Sequence, residues 1–193
     1  MGSRAVTPVV DTLVAFAAVF AVQQVVGLVG LASSLGTFAL ASPVTARPWT
    51  LPLSVYAHGS LQHLLSNALG LVLFGLPVAR VTTRVRFHLY FATVGMLAAV
   101  VQVGVSGLVG SQVAVLGASG AVFGLLGYLL AANRLTDAVA GRFQVSRRAQ
   151  LAALAVVAVA ITLTTAAPGV ALVAHFAGLA LGLAAGRAHV LRT

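Results

Sequence analysis

The sequence predicts an all-α membrane protein, a bundle of six transmembrane helices with both termini in the cytoplasm. Of 193 residues, 60% are hydrophobic and 7% charged, against about 25% charged in an ordinary soluble domain. Six apolar stretches approach or reach the roughly 20 residues needed to cross a hydrocarbon core. All 11 basic residues are arginines, and they punctuate those stretches. The net charge of +9 therefore fits the positive-inside rule of membrane proteins rather than the basic stripe of a nucleic-acid binder, and no nucleic-acid partner is expected.

The spans are expected near residues 10–31, 58–79, 87–108, 117–132, 149–166 and 170–189, the fourth being short for a full crossing. With the N-terminus inside, Arg4, then Arg80, Arg84 and Arg86, then Arg134, Arg142, Arg147 and Arg148, then Arg187 and Arg192 fall on the cytoplasmic side. Only Arg47 falls outside. Removing one span would scramble this partition, so it supports the span count as well as the orientation. The first stretch could instead be a signal peptide, with Arg4 as its basic end and Ala32, Ser33 and Ser34 near a cleavage site. It is longer than the usual apolar region of about 7–15 residues, and Gln23 and Gln24 in its middle suit a helix packed on others.

Between the first two spans, residues 32–57 hold Pro43, Pro48 and Pro52 around Trp49. Three prolines forbid one regular helix there, and the Trp suits a segment lying against the membrane interface. The inner loops are short and basic, and no repeat of 20–50 residues is visible. Residues 1–193 are read as one domain.

Chemistry is restricted by what is missing. Asp11 and Asp137 are the only acids, and Glu, Lys and Cys are absent. An H-E-x-x-H zinc site, a thiol nucleophile and a disulfide are excluded, and a two-carboxylate mechanism would need Asp11 and Asp137 to face each other. No metal and no cofactor is expected. Ser, Thr, Tyr, Asn and five histidines remain: His58, His63, His88, His175 and His189.

Polar groups in a bilayer core are costly and mark candidate functional sites. Three clusters stand out. In His58-Gly-Ser-Leu-Gln-His63-Leu-Leu-Ser-Asn67, His63 and Asn67 are one turn apart and share a face of the second span. Gly117-Ala118-Ser119-Gly120 opens the fourth span, and Ala174-His175-Phe176-Ala177-Gly178 lies in the sixth. The topology places all three in the outer half of the membrane, where they can converge. Gly117, Gly120, Gly124 and Gly127 form one small-residue stripe and Gly178, Gly182 and Gly186 another. Packing the two together would carry Ser119 toward His175. The first-turn N–H groups and the helix dipole beside Ser119 favour developing negative charge. His63 and Asn67 could add side-chain donors to such an oxyanion hole, and His175 could act as the base for Ser119. Both aspartates lie toward the cytoplasmic side, so the site would be a dyad. Taken singly, a Ser in a span can merely bond back to its own helix, and a buried His can merely pack.

Together the motifs H-x-x-x-N at His63 to Asn67 with His58 ahead of it, G-x-S-G at Gly117 to Gly120, and A-H-x-x-G-x-x-x-G at Ala174 to Gly182 resemble the rhomboid family of intramembrane serine proteases. The resemblance covers residues 58–182. It implies Ser119 as nucleophile, His175 as its base, and an oxyanion hole of His63, Asn67 and the Ser119 N–H. It also implies close helix packing at Gly120, Gly124, Gly178 and Gly182. Phe123 stands where the family often has a Tyr stacked on the catalytic His. Trp49-Thr50 resembles the Trp-Arg motif of the first outer loop, with Thr50 in place of the Arg, and no Glu follows the second span near Ala79. The implied partners are the lipid bilayer and single-span membrane proteins, cut near the outer face of the cell membrane. A loop around Thr164 to Val170, containing Pro168-Gly169, is expected to cover the site. Two other readings share these residues. One is a catalytically inactive rhomboid-like protein that binds membrane helices. The other is a small transporter, against which the apolar inner halves of spans two, four and six argue.

Overall fold

A computed structural model of the chain describes residues 3–28, 34–132, 146–166 and 170–193. Ala32, Ser33, Arg134, Asp137, Arg142 and Pro168-Gly169, which figure in the sequence reading, lie outside the described residues. The helices are α1 (Ser3–Leu28), α2 (Ser34–Phe38), α3 (Thr50–Tyr56), α4 (Leu61–Gly70), α5 (Leu76–Ala79), α6 (Arg84–Leu108), α7 (Ser119–Ala131), α8 (Arg147–Thr164) and α9 (Leu172–Arg187). A π-helical turn, Leu71–Gly75, joins α4 to α5. It stands just ahead of Pro77, which has no N–H and whose ring crowds the carbonyl one turn back; a locally widened turn relieves both.

Each apolar stretch is helical, but the lengths differ. Val6–Leu28, Leu61–Ala79 and Arg84–Leu108 are long and apolar enough to cross a membrane, whereas Ser119–Ala131, Arg148–Thr164 and Leu172–Arg187 are shorter apolar helices. The shortness of α7 has a physical reason. Gly120, Ala121, Gly124, Leu125, Tyr128 and Ala131 are buried, so the helix is enclosed by protein and need not match a bilayer thickness. In the other direction, α1 starts before the apolar run begins, because hydropathy stops at Ser3 and Thr7 while backbone hydrogen bonding does not. The segment between α1 and α4 contains no single regular helix. It is broken into α2, the strand β1 (Leu40–Ala41), a 3-10 turn (Val44–Ala46) and α3.

Residue pairs fix the helix directions. His63 lies against Gly117 and Gly70 against Val122, so α4 and α7 run parallel. Gly178 meets Gly120, Gly182 meets Gly124 and Gly186 meets Tyr128, at a constant offset in sequence, so α7 and α9 are also parallel. Ala98 packs on Gly120 and Val94 on Gly124, which makes α6 antiparallel to α7. Gln150 bonds to Arg187 while Thr165 bonds to His175, so α8 runs back along α9. Finally, Gln23 bonds to His58 and Val9 lies against Gly75, which sets α1 antiparallel to α4 and α5.

The bundle therefore has two chemically different ends. At one, Asp11 holds Arg84 at 2.7 Å and His88 at 3.1 Å, Arg86 donates to the Arg192 carbonyl, and Arg192 donates to the Ala132 carbonyl. Arg47 is at the other end, where it bonds to the Gly36 carbonyl and fastens the 3-10 turn to α2. Between the ends, Phe16, Phe87, Phe91, Leu71, Leu125 and Tyr128 form the main apolar core.

The α7–α9 contact is backbone against backbone. A Cβ on Gly178 would overlap the Gly120 carbonyl, and one on Gly182 the Gly124 carbonyl. Gly182→Val should therefore destabilise the protein by at least the ~1–3 kcal/mol typical of overpacking. Gly104→Ala, where nothing lies within 4 Å of the new methyl, should leave stability unchanged or slightly raised. Thermal unfolding in detergent, followed by circular dichroism, measures both.

Candidate active site

Ser119 is the first residue of α7, and three contacts fix the chain entering it. β1 pairs antiparallel with β2 (Ala114–Val115), with Leu40 opposite Val115. The Gly117 N–H donates to the Ser54 carbonyl of α3 at 2.8 Å. The His63 ring lies over Gly117, where an added Cβ would stand 2.6 Å from Cε1. Gly117 has φ +125°, a conformation open to glycine and strained for other residues. Both the turn and the ring above it therefore require that position to have no side chain. In the helix beyond, Val122 N–H bonds to the Ala118 carbonyl at 2.9 Å. The N–H groups of Ser119, Gly120 and Ala121 precede that bond and have no carbonyl one turn back.

His63 sits in the first turn of α4, which is capped by Ser60: the His63 N–H donates to the Ser60 hydroxyl at 3.1 Å. Its ring meets His58 edge-on at 5.2 Å, and His58 in turn meets Phe16 at 4.8 Å. His58 is almost wholly buried, and its backbone N–H donates to Gln23 Oε1 at 3.0 Å. This gives Gln23 a concrete role: it anchors α1 to the start of the second span. Asn67 is buried one turn below His63 and donates one amide hydrogen to the His63 carbonyl at 2.9 Å. An amide nitrogen carries two hydrogens, so one donor remains for a ligand.

His175 lies in the first turns of α9, 8% exposed, with its ring stacked on Phe123 at 4.5 Å and 20°. Phe123 is one turn after Ser119 on α7, so the imidazole packs on the face of α7 that Ser119 begins. The stacking that the family's Tyr would make is thus made here by a ring without a hydroxyl. His63, Ser119 and His175 stand at the N-terminal ends of three parallel helices. The free first-turn N–H groups of α7 favour an anion close to them, although α1, α6 and α8 bring their C-terminal ends to the same end of the bundle.

Two residues absent from the sequence reading complete this arrangement. Gln102, buried in α6, accepts from the Ala174 N–H at 3.1 Å through Oε1 and donates from Nε2 to Ser106 at 3.0 Å. It caps α9 beside His175, and as an amide inside an expected span it carried a signal that could have found it. The other is Thr165, whose Oγ1 lies 2.9 Å from His175 Nδ1. Nothing in the sequence separates it from Thr162 and Thr164.

The family model of the rhomboid domain matches residues 45–192. The chain belongs to the rhomboid family. No individual curated protein matches it. The family consists in general of intramembrane serine proteases, and the long apolar helices of this rhomboid fit an integral membrane protein. Where the family's loop motif has Arg, Thr50 is buried and bonds to the Arg47 carbonyl at 2.7 Å. Trp49 is 53% exposed and donates to the Thr37 carbonyl at 3.3 Å. The segment between α1 and α4 of this rhomboid is thus held by Arg47 and Trp49 on α2.

Gln102→Leu leaves the Ala174 N–H buried without a partner, a loss of about 1–3 kcal/mol. The expected outcome is a corresponding drop in unfolding free energy in detergent, with Gln24→Leu, at an exposed position on α1, changing little.

Proposed function

We propose that this rhomboid is an intramembrane serine endopeptidase that hydrolyses peptide bonds in or near the transmembrane helix of single-span membrane proteins. The observation that carries the reading is the stacking of His175 on Phe123, which sets a base-capable imidazole against the helix that Ser119 opens. In this mechanism Ser119 Oγ attacks the scissile carbonyl and its proton passes to His175. The oxygen of the tetrahedral intermediate takes its hydrogen bonds from the Ser119 N–H, His63 and the remaining Asn67 donor, aided by the N-terminal end of α7. His175 then protonates the leaving amine. Water, deprotonated by the same imidazole, hydrolyses the acyl-enzyme and restores Ser119.

A helical substrate shields its peptide bonds and already hydrogen-bonds its carbonyls, so local unwinding precedes attack. The proposed site opens on the extracytoplasmic side of the cell membrane, with both termini and six spans arranged as the arginines indicate. The segregation of Arg84, Arg86 and Arg192 from Arg47 at the two ends of the bundle supports that orientation. No metal or cofactor takes part.

Purified protein in lipid should be labelled by a serine-reactive fluorophosphonate and should cleave a model transmembrane substrate. Ser119→Ala and His175→Ala should abolish both activities. His63→Ala and Asn67→Ala should each lower kcat by roughly 100-fold. A folded wild type that resists several probes and leaves such substrates intact would remove the protease reading in favour of an inactive helix-binding member. In that case substrate capture should survive Ser119→Ala.

A further inference from the structure

We infer that Thr165, at the C-terminal end of α8, is a positioning residue that fixes which nitrogen of His175 carries the proton. The number of available protons decides it. Thr165 Oγ1 lies 2.7 Å from the Thr162 carbonyl oxygen and 2.9 Å from His175 Nδ1. A carbonyl oxygen can only accept, and a hydroxyl has one hydrogen, so the Thr165 O–H donates to Thr162. Its oxygen is left to face Nδ1 as an acceptor, and the contact is a hydrogen bond only when Nδ1 carries hydrogen. A neutral imidazole with Nδ1–H has its lone pair on Nε2. The form held by Thr165 is therefore the one in which Nε2 can take a proton.

The position is constrained from both sides. Phe123 stacked on the ring fixes its plane, and the Nδ1 contact fixes its rotation within that plane. Neither Asp11 nor any other carboxylate among the described residues lies at this end of the bundle. Thr165 thus fills the orienting place with a neutral acceptor. The neighbouring Thr162 and Thr164 also donate to backbone carbonyls, of Ala158 at 2.8 Å and Ile161 at 2.6 Å, but it is the Thr165 oxygen that lies within hydrogen-bond distance of Nδ1.

The role rests on the proposed use of His175 as a base, but the tautomer can be read without turnover. Protein labelled with 15N-histidine would be studied by NMR in lipid or detergent, with the His175 signals assigned by their loss in His175→Ala. Wild type and Thr165→Ser should show the Nδ1–H form. Thr165→Val, which keeps the branched shape but loses the acceptor, should shift toward Nε2–H. Its kcat should fall roughly three- to tenfold, the population effect of one net hydrogen bond, with KM unchanged and Thr165→Ser restoring the rate. A wild-type His175 in the Nε2–H form, or a spectrum indifferent to Thr165→Val, would overturn the assignment. Should Thr165→Val fail to fold, the wild-type spectrum alone decides. The expected tautomers in a chain that cuts no substrate would uphold the contact and count against the protease reading instead.

Discussion

The direct backbone contact between α7 and α9 is the constraint from which the site follows. Gly178 and Gly182 set their Cα atoms against the carbonyls of Gly120 and Gly124, leaving no room for a side chain between the helices. Two parallel helices pressed this closely cannot slide without driving larger residues into backbone, so the glycine register also sets the relative height of Ser119 and His175. The same closeness brings Phe123 under the imidazole. In a medium where apolar association gains little from excluding water, small-residue packing is what holds membrane helices together. Here it also determines which side chains can meet.

Polar side chains supply what packing cannot. Gln23 receives the N–H of His58 and Gln102 that of Ala174, and the Thr165 hydroxyl oxygen lies 2.9 Å from His175 Nδ1. Each contact comes from a different helix, and each lies close to a residue of the proposed dyad or oxyanion hole. A buried donor away from water is stabilised by a protein partner, and these contacts join helices across their interfaces. The result is a site in which His58 and His175 each contact an element other than their own through hydrogen-bonding groups.

The two ends of the bundle divide the chemistry. Asp11, Arg84 and His88 are joined by hydrogen bonds at one end, while the N-termini of α4, α7 and α9, with His63, Ser119 and His175, lie at the other. An aspartate at the site end would place a fixed negative charge where the proposed reaction develops one. Confining the carboxylate to the opposite end keeps a fixed negative charge away from the first-turn N–H groups of α7.

Much of this was legible in the residues themselves. Hydrophobic run length marked all six helical stretches, arginine spacing anticipated the two ends, and glycine periodicity on α7 and α9 anticipated their contact. His63, Ser119 and His175 were singled out because they sit at set positions in local motifs, and a motif is a property of consecutive residues. Helix length was not legible, since α7 is short through enclosure by its neighbours, and enclosure is not encoded in a local run. Nor was the choice of Thr165 over Thr162 and Thr164, or of Gln102 as the cap of α9. Those depend on which atoms of distant segments come within about 3 Å of one another, a distance that only the packed helices decide.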